Sequence, residues 1–185
     1  RTGSITIGSG KEALMIGTSA GSGTLAAKDP GGELALANDS GSTLTVNSAV
    51  ADNGTSLLVK SGTGVVVLAA ASTYAGDTAI NAGVLRIMDS SSLGAGGKTV
   101  VAGGGELQVD GSGVAIGETL NALSGTGVAG GGALRNLANV NTWSGANTLG
   151  TGGARINSDG GTLTLSGGVT GTGQGLTIGG AGDVT

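Results

Sequence analysis

A stretch of 26 residues recurs in degenerate form farther along this chain. Gly62–Ile87 aligns without gaps on Gly131–Ile156, at an offset of 69. Gly62 falls on Gly131, Leu68 on Leu137, Ala69 on Ala138, Thr73 on Thr142, Gly76 on Gly145 and Gly83 on Gly152. Arg86-Ile87 falls on Arg155-Ile156, Val65 on Leu134 and Ile80 on Leu149. Tyr74, the one tyrosine, falls on Trp143, the one tryptophan. Chance produces some glycine matches in a chain with 42 glycines. It does not readily align the aromatics, the Arg-Ile pairs and the apolar positions together. Self-similarity on this scale is the mark of a solenoid, whose turns commonly take about 20–25 residues. An offset of 69 then reads as three turns of about 23, placing Tyr74 and Trp143 on one side of a rod, three turns apart.

The local pattern agrees. Short runs alternate apolar and small polar residues from end to end: Ser4-Ile5-Thr6-Ile7, Glu33-Leu34-Ala35-Leu36, Thr43-Leu44-Thr45-Val46, Glu106-Leu107-Gln108-Val109, Thr162-Leu163-Thr164-Leu165 and Leu176-Thr177-Ile178. Such alternation fits a pleated strand with one buried face. The Gly, Asn, Asp and Ser clusters between runs supply turn positions. Lys11–Ile16 is too short and uncapped for a helix. With phenylalanine absent, the apolar residues are mainly Ala, Val, Leu and Ile, which suits a narrow core of many thin layers. We therefore expect an all-β fold: a right-handed parallel β-helix spanning residues 1–185, with about three short strands per turn. Leu68, Ile80, Leu85, Ile87, Leu107, Val109, Leu137, Ile156, Leu163 and Leu165 should point inward, and Arg86 and Arg155 outward. A β-sandwich of short strands is the competing architecture. Disorder is disfavoured by a positive mean hydropathy of +0.27 and only 11% charged residues.

Several functional classes are excluded or weakened by composition. The net charge of −4 comes from scattered single charges, so no basic patch awaits a nucleic-acid backbone. There is no cysteine for a disulfide or thiolate metal site. The longest apolar run, Val65–Ala71, is far short of a membrane-spanning segment. The chain starts at Arg1 without a signal peptide, as expected of a piece of a longer precursor.

Lys60-Ser61-Gly62-Thr63-Gly64-Val65-Val66-Val67-Leu68, followed by Ser72-Thr73-Tyr74-Ala75-Gly76-Asp77-Thr78-Ala79-Ile80-Asn81-Ala82-Gly83-Val84-Leu85, closely resembles the autotransporter-associated β-strand repeat. Ser72 stands where that repeat usually has Asn, and Asp77 where a small residue is usual. Gly161–Gly167, with Gly171–Gly173 and Leu176–Gly179, looks like the lead-in to a further copy. The resemblance implies a β-helical passenger region of large bacterial surface proteins, often adhesins. It also implies an extracellular or cell-surface location after export across the outer membrane. The expected partners are either further repeats of the same precursor or, from the uncapped ends, copies of the chain stacked end to end into filaments, with surface glycans or host or cell-surface receptors as further candidates.

Candidate chemistry is sparse. Gly8-Ser9-Gly10-Lys11-Glu12 hints at a phosphate loop, yet Ile5 stands at its first glycine and Glu12 at its hydroxyl position. Gly179-Gly180 with Gly182-Asp183 matches a calcium nonapeptide only loosely. Some parallel β-helices are polysaccharide lyases or hydrolases, and glycosidases need two carboxylates on one cleft. The pairs to consider are Asp29 with Glu33, and Glu106 with Asp110, besides the single Asp39. Thr43/Thr45 and Thr162/Thr164 raise an ice-binding face, which would need such pairs on successive turns. Tyr74 and Trp143 are candidate glycan-stacking residues; the alternative is a half-buried cover over a corner. No catalytic residue, cofactor or metal site is assigned. The leading expectation is a structural or adhesive rod, with a carbohydrate-binding or carbohydrate-active β-helix as the alternative. The two ends, Ser4–Ile7 and Gly182–Thr185, carry no cap in the sequence, and open ends invite further strands.

Overall fold

A computed structural model describes residues 3–185. Every strand pairing is parallel, and together the pairings build a β-solenoid of about seven turns. Among the described residues, helix is confined to one 3₁₀ turn, Val128–Gly130.

Each turn passes over three faces. The first face stacks Gly3–Ile7, Glu33–Asn38 and Leu57–Ser61, then the leading parts of Thr78–Ile87, Lys98–Val109, Thr119–Gly125 and Asn147–Ser158. The second stacks Leu14–Ile16, Leu44–Val46 and Val65–Leu68 beneath the trailing halves of Thr78–Ile87 and Lys98–Val109. It continues through Leu134–Asn136, the end of Asn147–Ser158 and Leu176–Gly179. The third carries Thr24–Leu25 under Ala49–Val50 and, higher up, Ala115–Ile116, Val140–Trp143, Thr162–Leu165 and Asp183–Val184. The long strands are continuous because they bend round the corner between the first and second faces.

The core is a set of aliphatic columns. On the second face Leu44, Val66, Leu85, Leu107, Leu134 and Ile156 stack one on the next, all with essentially no solvent exposure. Burying one such side chain contributes roughly 1.5–3 kcal/mol, so stability grows turn by turn. Leu68, Ile80, Leu85, Ile87, Leu107, Val109, Ile156 and Leu163 point inward as expected, with Arg86 and Arg155 outward and partly exposed.

One core assignment needs correction. Leu165 points inward over Trp143 and packs against the core, partly buried, but Leu137 is only half-buried. The stack from Leu68 runs through Ile87 and Val109 to Asn136, one residue short of Leu137. A slip of one residue turns a side chain to the other face of a strand, so Asn136 takes the buried place that the repeat alignment gave to Leu137. On the first face the offset holds: Thr78, Thr99, Leu120 and Asn147 stack in order, spanning 69 residues and three turns. Turn lengths are unequal, because the chain inserts a loop between Leu107 and the stacked Leu134.

The corner between the first and second faces explains the glycines of the repeated motif. Gly83 has φ +65° and lies directly over the carbonyl oxygens of Gly62 and Gly64; a Cβ there would overlap the Gly62 oxygen. Gly62, at φ +73°, stands over Asn38 in the same way. Lys60 closes this corner from within. It occupies an inward column between Leu36 and Ile80 and is fully buried. Its Nζ donates to the carbonyls of Gly62 (2.7 Å), Ser61 (2.8 Å) and Ala82 (2.9 Å). Burial pulls the Lys60 pKa down to about 8, and the three carbonyls are what the buried ammonium group has in place of water.

Gly83→Ala therefore meets both an unfavourable φ and a carbonyl, and should cost about 2 kcal/mol or more. Gly103→Ala, with open space around its Cβ and no positive φ, should change stability by less than about 0.5 kcal/mol. Denaturant melts of the two variants check this; equal effects would show that the close approach at the corner does not limit the fold.

Candidate functional site

The outward side chains of the second face form a polar strip. Arg86, Gln108, Arg135 and Asn157 occupy successive passes of one column. Parallel in-register stacking brings them within reach of one another and of residues two positions along the strand. Arg86 Nε donates to Gln108 Oε1 (2.9 Å), and the Arg86 guanidinium lies 3.4 Å from Asp110. Gln108 Nε2 donates to Glu106 (2.6 Å). Arg135 bridges Glu106 (3.2 Å) and Asp159 (2.6 Å), and Asn157 Nδ2 donates to Asp159 (2.6 Å).

Glu106 is the costly member of this strip, since its side chain is only 1% exposed. A buried carboxylate must be paired and hydrogen-bonded. The inserted loop supplies part of that need: the backbone N–H of Val128 donates to Glu106 Oε2 at 2.8 Å. The candidate acid pair Glu106/Asp110 thus holds arginines, with Glu106 covered and not turned toward a cleft. Asp39 accepts the backbone N–H of Thr63 on the neighbouring pass. Gly8–Lys11 closes a turn through Lys11 N–H to Gly8 O. Asp183 opens the strand that pairs with Thr162–Leu165. Among the described residues no three His, Cys, Asp or Glu side chains are grouped to hold a metal ion. Thr45 lies on the second face and Thr162 and Thr164 on the third, so these threonines share no plane.

Tyr74 and Trp143 do lie on the same face. The backbone N–H of Tyr74 donates to Val50 O, and its carbonyl accepts from Ala95 on the following pass. Ile116 comes next, stacked beneath Trp143 three passes above Tyr74. Both rings are wholly buried, at 1% and 0% exposure. That overturns the glycan-stacking assignment and the half-buried alternative alike, because neither ring offers a face to a sugar. Their polar atoms are satisfied internally, as buried Tyr and Trp require. The Tyr74 hydroxyl pairs with Thr78 Oγ1 at 2.6 Å, and Trp143 Nε1 donates to Glu118 O at 2.7 Å.

The third face is interrupted between these two rings. Residues 89–92 turn on themselves, with Asp89 N–H donating to Ser92 Oγ (3.0 Å) and Ser91 N–H to Asp89 Oδ1 (2.8 Å). No strand therefore continues the ladder to Ala115–Ile116, and a cleft of about 320 Å³ opens between the passes, bordered by Ser90, Leu93, Ile116 and Glu118. Burial is the main cause that pushes Glu118 up to about 7; a hydrogen bond from Thr99 (2.7 Å) opposes it and the charge of Asp77 adds to it. Glu118 did not stand out in the sequence, and Lys60 did so only as the first residue of the repeat motif; only the stacking of turns reveals that each is buried.

A family model described as the passenger-associated-transport-repeat matches residues 58–87. That stretch holds Lys60, the Gly62 and Gly83 corner and Tyr74. No curated protein and no solved structure matches the chain.

Because the folded-state pKa of Glu118 is raised from 4.5 to about 7, folding takes up a proton in that window. Its stabilising contribution is complete below about pH 4.5 and is lost as pH rises through 7. Melting temperatures of the wild type should fall between pH 4.5 and 7 relative to Glu118→Gln. Parallel curves for the two proteins would place the Glu118 carboxyl in ordinary solvent.

Proposed function

We propose that this chain, carrying a passenger-associated-transport repeat, is a non-catalytic rod segment of a bacterial surface protein, exported to the cell exterior. The observation that carries this reading is the match at residues 58–87 lying within the continuous parallel stacks of the first and second faces, where it forms one turn among several. A repeat whose motif residues all serve the contact between turns is suited to extending length, and its lysine, glycines and tyrosine are spent on that contact. The polar side chains of the second face likewise answer one another. A rod of this kind holds whatever it bears away from the membrane, and an adhesive role follows if a partner engages its flank.

The inward columns come to the surface at the outermost passes: Leu14, beneath Leu44, is 41% exposed, and Ile178, above Ile156, is 49% exposed. Such apolar layers favour a further turn of the same solenoid on each side. We read the segment as part of a longer rod on that ground.

Fused upstream of an outer-membrane translocator barrel and given a secretion signal, the segment should reach the cell surface. There it should resist external protease as a folded unit. Retention inside the outer membrane, or digestion of exported chain at the rate of an unfolded control, would contradict the passenger reading.

A further inference from the structure

The corner between the third and first faces is kept clear by a column of small residues, and a glutamate interrupts it. Leu58, Thr78, Thr99, Leu120, Asn147 and Val169 stack in order and fix the register of six passes. Two residues earlier on each pass stand Ser56, Gly76, Gly97, Glu118, Gly145 and Gly167. A Cβ on any of these four glycines would overlap a carbonyl of the pass beneath: Ser56 under Gly76, Gly76 under Gly97, Glu118 under Gly145 and Gly145 under Gly167. Above Ser56, Glu118 alone in the column carries a Cβ, so its pass cannot settle on Gly97 in the same way. The cleft of about 320 Å³ lies at this step. The turn at residues 89–92 opens one end of it, and Glu118 stands at the other.

The Glu118 side chain turns down across the gap, where Oε1 accepts a hydrogen bond from Thr99 on the lower pass at 2.7 Å. Oε2 has no protein partner among the described residues and is open to solvent. Above the cleft, Ala115–Ile116 is the edge strand of its sheet. Ala115 N–H donates downward to Ser90 Oγ (3.0 Å), and in a strand the carbonyl of the same residue points the same way. That carbonyl meets no strand below. The border thus offers a carboxylate oxygen, a backbone carbonyl and the hydroxyls of Ser90 and Ser91 as acceptors, with Leu93 and Ile116 as an apolar wall. Its one charged side chain is acidic, and Asp77 adds a second negative charge nearby. An ammonium group brings three donors and no acceptor, and Lys60 shows how this solenoid holds one, on three backbone carbonyls. We propose that the cleft binds a primary ammonium group on a short aliphatic stem, with Glu118 as its counter-charge and the Ala115 carbonyl as a further acceptor. The group belongs either to a free alkylamine or to a lysine side chain of another protein. The proposal rests on the glycine column and the cleft, and holds whether or not the segment is a passenger rod.

The test titrates the purified chain with n-butylamine, with a capped glycine–lysine–glycine peptide and with n-butanol, the neutral compound of the same stem. NMR follows the backbone amides of Gly96 and Gly117 and the Trp143 indole N–H, which donates to Glu118 O. Saturable shifts that weaken with added salt are expected for at least one of the two amines, and none for butanol. Butylamine binding at least as tight as the peptide identifies a free-amine site, and tighter binding of the peptide a protein lysine. Binding should strengthen as pH rises through about 7, where Glu118 ionises; Asp77, Tyr74 and the exposed Lys98 are the other titratable groups around it. Glu118→Gln keeps the shape and should weaken binding at least tenfold, while Glu12→Gln, at an exposed position on the first turn, leaves it unchanged. Glu118→Gly completes the column; it should close the cleft and abolish binding while the melting temperature holds or rises, which separates loss of the site from loss of the fold. Absence of shifts with both amines, or equal shifts with butanol, would overturn the proposal. So would wild-type affinity in either Glu118→Gln or Glu118→Gly.

Discussion

Parallel backbones stacked at about 4.8 Å set the terms for everything else in this protein. Each pass must lie directly on the one beneath it, because its N–H and C=O groups have no other partners. Along the flat faces any alternating sequence satisfies that demand. At the corners it is stricter, because carbonyls of one turn press into the space where the next turn would carry a Cβ. Gly62 and Gly83 answer that pressure by having none. Lys60 answers it from inside, turning a buried amine onto three carbonyls that the bend has gathered. The motif is thus a description of how one turn rests on another.

The same stacking governs the charges. Side chains on the outer surface meet at fixed register offsets, so an arginine on one pass finds its acid at a set place on the next. Arg86 with Asp110 and Arg135 with Asp159 both follow that geometry. Glu106 is afforded burial because Arg135, Gln108 and a loop amide converge on it. Where the ladder is broken, as between Gly94 and Ala115 on the third face, the consequence is a cleft and a carboxyl group of raised pKa.

Much of the architecture was legible in the sequence. Alternation identified which side chains of Leu85-Arg86-Ile87 turn inward, and the 69-residue offset spans three turns on the first face. The alignment failed where turn lengths differ. From Leu68 the chain reaches Ile87 in a short turn of 19 residues, so the column arrives at Asn136 one residue early, which puts Asn136 inside and leaves Leu137 half-buried. Tyr74 and Trp143 were placed on the right face and given the wrong exposure, since their amphipathic character fits a wet corner as well as a buried one with internal hydrogen-bond partners. The glutamate at position 118 could have been sought by comparing Gly76, Gly97, Gly145 and Gly167. That comparison requires knowing which residues stack, and spacing alone does not reveal it.

The claim on which the account depends is that sequence-distant residues stack in one parallel register. Ser4, Ala35, Val59, Ala79, Val100 and Ala122 form one outward column in which each residue pairs with the next. Spin labels on cysteines introduced at Ser4 and Ala122 are therefore five steps apart, about 24 Å between backbones. Double electron–electron resonance should give a single narrow distribution near that distance, widened only by the label arms. A broad distribution, or a peak well beyond about 35 Å, where five strand spacings and two label arms cannot reach, would contradict the stacked register.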